Sequence, residues 1–312
     1  MDLFICYSPL QIKIALKIID INNIKNYEVF FFTHRNTPQN RFYFDKISRN
    51  AKKSEYYLVD KRFPAYFRDI KNKFKFRQYD NIYLASIDNI FPQLILTSAK
   101  FNGLRTFDDG TANITYDSLY YRCNRSTLQS LLYYIFGSRF TLTNIKELIS
   151  EHYSIYKGKK NISDNVIYID LFENEKTKIR DESYLLKDEC NVLLGTCYRY
   201  VTDSESEVKR LMKINFFNMS DIKCIPHPME DNEVFEFDSN DCLIAEDIIL
   251  RLKLKYKVVN LYGIASSALI PFIECDWCNV CTIKSQLFYS ECNQLSSELV
   301  DLGVKVFDLD VT

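Results

Sequence analysis

Glycine and proline are both scarce, at seven each in 312 residues. Collagen-like and flexible-linker compositions are thereby excluded. Forty Lys and Arg stand against 41 Asp and Glu, for a net charge of −1. The basic excess that a broad nucleic-acid surface needs is therefore missing, and no nucleic-acid partner is expected. Ten cysteines are too few and too scattered for a disulfide framework, so free thiols in a reducing cytoplasm are expected. No run reaches the roughly 18 uncharged apolar residues of a membrane span. Residues 266–283 come nearest, but Glu274 and Asp276 interrupt them. Residues 3–21 have the apolarity of a signal peptide, yet they follow Met-Asp, contain Lys13 and Lys17, and lack a small-residue cleavage site. The expected location is cytoplasmic, at most peripheral on the inner face of a membrane.

Familiar cofactor and hydrolase motifs are absent as well. There is no GxGxxG after the first strand, no GxxxxGK[ST], no HExxH and no GxSxG. What remains is an ordinary globular composition, 47% hydrophobic and 26% charged, with 22 Tyr and 23 Phe against one Trp. The aromatic excess hints at aromatic-rich pockets. A chain of this length predicts two domains. Short β-branched and aromatic runs alternate with helical patterns, as in α/β proteins with largely parallel sheets. Strands are predicted at residues 3–7, 27–34, 55–59, 81–86 and 104–107, with helices at 9–19 and 64–75. A second series has strands at 166–171, 192–194, 222–225, 258–262 and 279–283, with helices at 205–216, 247–255 and 267–274. The polar stretch 157–165 reads as the join, giving domains 1–160 and 161–312. Two open α/β domains with a cleft between them would bind ligands at the carboxyl ends of their strands.

Several segments at such ends could carry chemistry. Asp108-Asp109-Gly110 follows a strand; it is either a polar turn or a carboxylate pair that binds hydroxyls or takes a proton. Pro226-His227-Pro228 fixes one of only three histidines between two prolines, where an imidazole can donate to a leaving phosphate. Gly263 to Ser267 joins a strand to a helix, so Ser266 and Ser267 either cap that helix or hold a phosphate. Gly195-Thr196 is a similar exit, and Asp203 beyond it reads as a helix N-cap. Cys275, Cys278 and Cys281 are spaced like metal ligands but lie in a strand-like run without a fourth ligand. Asp308-Leu309-Asp310 mimics a metal-binding pair but reads as a solvated tail. The stretch from Arg68 to Arg77 interleaves basic and aromatic residues, as a solvated helix face or a membrane contact.

In order along the chain, CYSPLQIKIA (Cys6–Ala15), NIYLASI (Asn81–Ile87), TFDDGTANI (Thr106–Ile114), EHYSIYKGKKNI (Glu151–Ile162), LLG (Leu193–Gly195), PHP (Pro226–Pro228) and EDIILR (Glu246–Arg251) resemble glycosyltransferase family 52, the lipooligosaccharide sialyltransferases. The resemblance implies an α/β fold of two Rossmann-like domains facing a central cleft, the glycosyltransferase-B architecture. It implies CMP-sialic acid as co-substrate, no cofactor or metal, inversion at the anomeric carbon, and a galactose-terminated glycan as acceptor. It assigns donor contacts to Gly195, Thr196, His227, Pro228, Glu246, Gly263, Ser266 and Ser267, and acceptor contacts to Ser8, Gln11, Asp108, Asp109 and Gly110. His227 is the implied acid. The family's base follows LLG closely, whereas Asp203 is the first acid here; in other bacterial sialyltransferases the base is an acid of the DDG segment, hence Asp108 or Asp109. A peripheral membrane contact and a homodimer fit this picture. A hexosyltransferase using another sugar nucleotide and a non-catalytic CMP- or sugar-binding protein are the alternative readings.

Overall fold

A computed structural model describes residues 1–110, 113–114, 118, 120–121, 126–172, 186–217, 219, 222–227 and 242–310. The chain forms two compact units, Met1–Leu171 and Phe172–Thr312.

The first unit is a seven-stranded, all-parallel sheet in the order β3-β2-β1-β4-β5-β6-β7. Its strands are β1 (Asp2–Cys6), β2 (Tyr27–Thr33), β3 (Lys53–Leu58), β4 (Gln78–Leu84), β5 (Lys100–Phe107), β6 (Ile149–Ser154) and β7 (Val166–Tyr168). Ser8 caps α1 (Pro9–Ile21) by accepting from the Gln11 N–H, and Pro9 occupies the first helical position. The other helices among the described residues are α2 (Pro38–Ser48), α3 (Ala65–Phe74), α4 (Ile90–Ser98), α5 (Thr127–Ile135) and α6 (Leu142–Leu148). The order reverses between β1 and β4, a switch point of the Rossmann type.

The abundant aromatics fill this core, and Tyr66, Phe91 and Tyr133 also line a cavity beside it. Phe32 stacks on Phe91 at 5.0 Å between centroids, and Phe30 meets Phe74 edge-on at 5.1 Å. Each such side chain stabilises the fold by about 1.5–3 kcal/mol through burial. Flat rings fill the space between sheet and helices, which is how the unit spends its phenylalanines.

The second unit is a five-stranded parallel sheet, β12-β11-β10-β8-β9. Its strands are β8 (Lys187–Leu194), β9 (Ile222–Ile225), β10 (Tyr256–Gly263), β11 (Cys278–Lys284) and β12 (Lys305–Asp308), with helices α7 (Glu205–Phe216), α8 (Ala245–Lys253) and α9 (Ser290–Val300). Renumbered within the unit, the order is 2-1-3-4-5, and its switch point lies between β8 and β10.

Three expectations need correction. The units divide after Leu171, not at residue 160, because Val166–Tyr168 pairs with β6 and closes the first sheet. The stretch 157–165 is therefore not a linker: Asn161 and Ile162 are buried in the first unit. The helix expected at 267–274 is a short 3₁₀ turn, Ser267–Phe272, containing Pro271, which has no N–H with which to extend it. Among the described residues, no helix is long and apolar enough to cross a membrane.

Candidate active site

The adjacent acids Asp108 and Asp109 occupy opposite environments. In the β5–β6 ladder Thr106 lies beside His152 and Phe107 beside Tyr153, which brings the end of β5 level with Ser154. Asp108 is 0% exposed. It accepts from His152 Nε2 at 2.9 Å, Ser154 Oγ at 2.8 Å, the Ile155 N–H at 2.7 Å and Asn161 Nδ2 at 3.2 Å. Thr106 Oγ1 lies 2.7 Å from the other nitrogen of His152. A carboxylate enclosed in this way does not reach a substrate. The expectation that Asp108 acts on or binds the acceptor is at odds with this burial, and the residue instead fastens β5 to β6.

Asp109 turns toward the switch point of the first sheet. Its oxygens accept from Gln11 Nε2 at 2.5 Å, Ser86 Oγ at 2.8 Å and Tyr120 Oη at 2.8 Å. Gln11 also donates to Ser86 at 3.0 Å and accepts from the Tyr7 N–H at 2.7 Å. Gly110 follows at φ +65°, in the left-handed region that favours glycine. The strand exits after β1, β4 and β5 thus converge on one half-buried carboxylate. Burial, reinforced by Asp109, raises the Tyr120 phenol well above its ordinary range and keeps it a donor. Ser86 lies inside the NIYLASI segment, but neither it nor Tyr120 was singled out as a site residue. Their role follows from the order of the strands, which the sequence pattern does not state.

A cavity of about 480 Å³ lies in the same unit, lined by His34, Asp60, Asp88, Asn89, Gln129 and Tyr133 among others. It opens beside the exits of β2, β3 and β4, and α5 supplies Gln129 and Tyr133 to its wall.

In the second unit, the candidate donor residues Gly195, Thr196, His227, Gly263, Ser266 and Ser267 lie at or just after three strand ends. The Gly195 N–H donates to the Ile225 carbonyl at 2.7 Å, tying the exit of β8 to that of β9, where Pro226 and the exposed His227 follow. Pro228 lies outside the described residues. A Cβ at Gly263 would come 3.2 Å from Ser266 Cβ and 3.3 Å from Leu194 Cδ1, so the exits of β8 and β10 approach closely here and a side chain would press on both neighbours. Ser266 caps the 3₁₀ turn, accepting from the Ala268 N–H at 3.3 Å, and Ser267 opens it. Thr196 is half-buried after β8, and Glu246 is buried in the first turn of α8.

Asp203 is not the N-cap that its sequence position suggested. Ser204 precedes α7, and the exposed Asp203 carboxylate accepts from Tyr289 Oη at 2.5 Å. That hydrogen bond is the main cause of the raised Tyr289 pKa, so the phenol remains a donor at neutral pH. The two loops are joined further by the Tyr289 N–H to the Val201 carbonyl at 2.8 Å and by Thr202 Oγ1 to the Leu287 carbonyl at 2.6 Å. Asp310, read from sequence as a solvated tail, accepts from Ser285 Oγ and the Gln286 N–H, each at 2.6 Å, and so anchors the Tyr289 loop. Tyr289 had no sequence signal, lying far from any motif. Burial raises the Cys278 thiol strongly, with Cys275 beside it, as suits core cysteines.

Residues 16–287 match glycosyltransferase family 52. The chain is 29% identical, over 99% of both sequences, to the CMP-N-acetylneuraminate:beta-galactoside alpha-2,3-sialyltransferase of Pasteurella multocida strain Pm70. It is 26% identical, over 86% of each, to an N-acetyllactosaminide alpha-2,3-sialyltransferase of Haemophilus influenzae, and 24% identical to one of Neisseria meningitidis over 80% of this chain and 69% of that one. Among solved structures, a putative UDP-N-acetylglucosamine 2-epimerase from Listeria monocytogenes shares the fold, with a TM-score of 0.51 at 10% identity, covering 97% of this chain and 87% of that one. The family match begins inside α1 and ends in the loop after β11, crossing both sheets and both switch points, and on that extent the chain belongs to glycosyltransferase family 52.

Proposed function

We propose that the protein transfers sialic acid from CMP-sialic acid to the terminal galactose of a surface glycolipid or polysaccharide, in α2,3 linkage, with inversion and without a metal ion. The observation that carries this reading is the end-to-end match to the Pasteurella enzyme, which takes in every candidate strand exit described above. In the reaction the acceptor hydroxyl oxygen bonds to the anomeric carbon of sialic acid. The bond from that carbon to the phosphate oxygen of CMP breaks with its electron pair, and the hydroxyl proton passes to a base. Asp203 is the base in this reading. Its carboxylate is exposed, and Tyr289 fixes one of its oxygens. His227, exposed after β9, donates to the phosphate as charge develops there. Gly195, Thr196, Pro228, Glu246, Gly263, Ser266 and Ser267 form the donor site. Asp109, held by Gln11 and Ser86 near Ser8 and Gly110, receives the acceptor's hydroxyls, and the neighbouring 480 Å³ cavity takes the rest of the glycan.

The test is incubation of the purified protein with CMP-sialic acid and a panel of galactosides in excess EDTA. Release of CMP and a product open to α2,3-specific sialidase is the expected result. Turnover of a UDP-sugar instead, or CMP binding with no transfer, overturns the reading. Loss of activity in EDTA that manganese restores overturns its metal-free part.

A further inference from the structure

The donor of the proposed reaction is doubly anionic, with one charge on the phosphate of CMP and one on the carboxylate of sialic acid. His227 meets the phosphate in that reading, and the carboxylate needs a partner of its own. In sialic acid this carboxylate is bonded directly to the anomeric carbon. Whatever binds it must therefore sit close to the base that serves the same carbon. An arginine suits the task, because its planar guanidinium matches a carboxylate through two parallel hydrogen bonds.

Five segments lead off the carboxyl ends of the second sheet: residues 195–204 after β8, 226–244 after β9, 264–277 after β10, 285–289 after β11 and 309–312 after β12. Arg199 is the one Lys or Arg in all of them. The segment 226–244 is acidic instead, with Glu230, Asp231, Glu233, Glu236, Asp238 and Asp241. Arg199 shares its segment with Gly195, Thr196 and Asp203, and the fold turns it outward there. Cys197, Tyr198, Val201 and Thr202 are buried, whereas Arg199 and Tyr200 between them are exposed. Residues Tyr198–Tyr200 form a 3₁₀ turn, in which the Tyr200 N–H donates to the Cys197 carbonyl at 2.9 Å and the Val201 N–H to the Tyr198 carbonyl at 2.8 Å. The bonds of Val201 and Thr202 to Tyr289 and Leu287 fasten this turn to the loop after β11. The Arg199 guanidinium lies 5.1 Å from the centroid of the Tyr200 ring, which orients its plane. Four residues separate Arg199 from Asp203, so their Cα atoms lie within about 14 Å of each other. A long side chain and one sugar ring can bridge that gap.

We infer that Arg199 binds the carboxylate of the donor's sialic acid and thereby selects an acidic sugar over a neutral hexose. The inference rests on the sialic acid transfer proposed above. The contact is made before and during transfer alike, so its loss raises the donor Michaelis constant more than it lowers turnover. CMP by itself has no carboxylate and does not draw on Arg199.

Titration calorimetry with CMP and with CMP-fluorosialic acid, a donor analogue that resists transfer, separates the two charges. The wild-type chain is expected to bind both. Arg199→Ala is expected to weaken the analogue by about 10- to 100-fold, the range for a hydrogen bond to a charged group, and to leave CMP affinity unchanged. Arg199→Lys keeps the charge without the paired geometry, and its affinity for the analogue should fall between the two. The side chain is exposed, and an unchanged thermal melt verifies that each variant is folded; Arg199→Gln replaces Arg199→Ala if it is not. Equal losses of affinity for CMP and for the analogue overturn the inference, since Arg199 would then serve the phosphate or the shape of its loop. So does an analogue affinity that Arg199→Ala leaves intact. A wild-type chain that binds a UDP-sugar and neither CMP compound overturns the function reading, and the inference with it.

Discussion

The turn between Asp108 and Asp109 gives two identical side chains different work, and substitution separates them. Asp108→Asn leaves the same shape but puts an amide donor among the donors of His152, Ser154 and Ile155. Breaking a buried charged network of this kind costs about 3–5 kcal/mol, to be read as a lower urea midpoint of unfolding. Asp109→Asn should instead raise the acceptor Michaelis constant, at a smaller stability cost than Asp108→Asn because Asp109 is only half-buried. For the transfer step, His227→Ala removes a donor to the developing phosphate charge, which lowers turnover by about 100- to 1000-fold while CMP affinity changes far less. Asp203→Asn should abolish turnover and the acidic limb of the pH–rate profile together. Near-normal turnover in Asp203→Asn beside a dead Asp109→Asn would transfer the base to the first unit.

Strand exits carry the candidate site, and they were the most legible elements. β-Branched and aromatic runs marked most of the strand cores, because a parallel strand buried on both faces must be apolar throughout. The residues that leave those strands, Ser8, Asp109, Gly195, His227 and Ser266, were legible for the same reason: each breaks an apolar run. The partners that orient them were not. Tyr289 reaches Asp203, and Asp310 steadies the loop of Tyr289, only through the side-by-side pairing of β8, β10, β11 and β12, a long-range arrangement that no local pattern encodes. The edge strand β7 was assigned to the wrong unit because a three-residue strand reads alike on either sheet. Gly263 tests the closeness of two exits. Gly263→Ala would press on Leu194 and Ser266, an overpacking that costs about 1–3 kcal/mol. The expected outcome is weaker CMP binding by titration calorimetry, with acceptor affinity unchanged.

Across the molecule, burial sets which groups respond to alkali, phenols in the first unit and mainly thiols in the second. Burial raises Tyr27, Tyr57, Tyr79, Tyr83, Tyr120 and Tyr153 of the first unit, the last to about 12, whereas in the second unit it raises the phenol of Tyr262 and the thiols of Cys278, Cys281 and Cys292. A phenol whose folded pKa exceeds its unfolded value contributes stability that is complete below the unfolded value, near 10, and is lost as pH rises toward the folded one. Urea unfolding followed from pH 8 to pH 11 should therefore show the midpoint of the first unit falling above about pH 10, and Tyr79→Phe should reduce the slope. A first-unit midpoint that stays level up to about pH 11 would contradict this.

The strand orders also bear on how the chain is made. The first strand of each unit among the described residues, β1 and β8, ends up in the interior of its sheet, with partners on both sides. As the polypeptide leaves the ribosome, β1 therefore emerges with both hydrogen-bonding edges bare, and its second edge stays open until β4 has been translated; β8 waits in the same way for β10. Bare edges of long apolar strands are templates for wrong pairing. Chains stalled on the ribosome before β4 has emerged should be digested rapidly by protease, whereas those stalled once β7 is clear of the exit tunnel should yield a resistant fragment ending near Leu171.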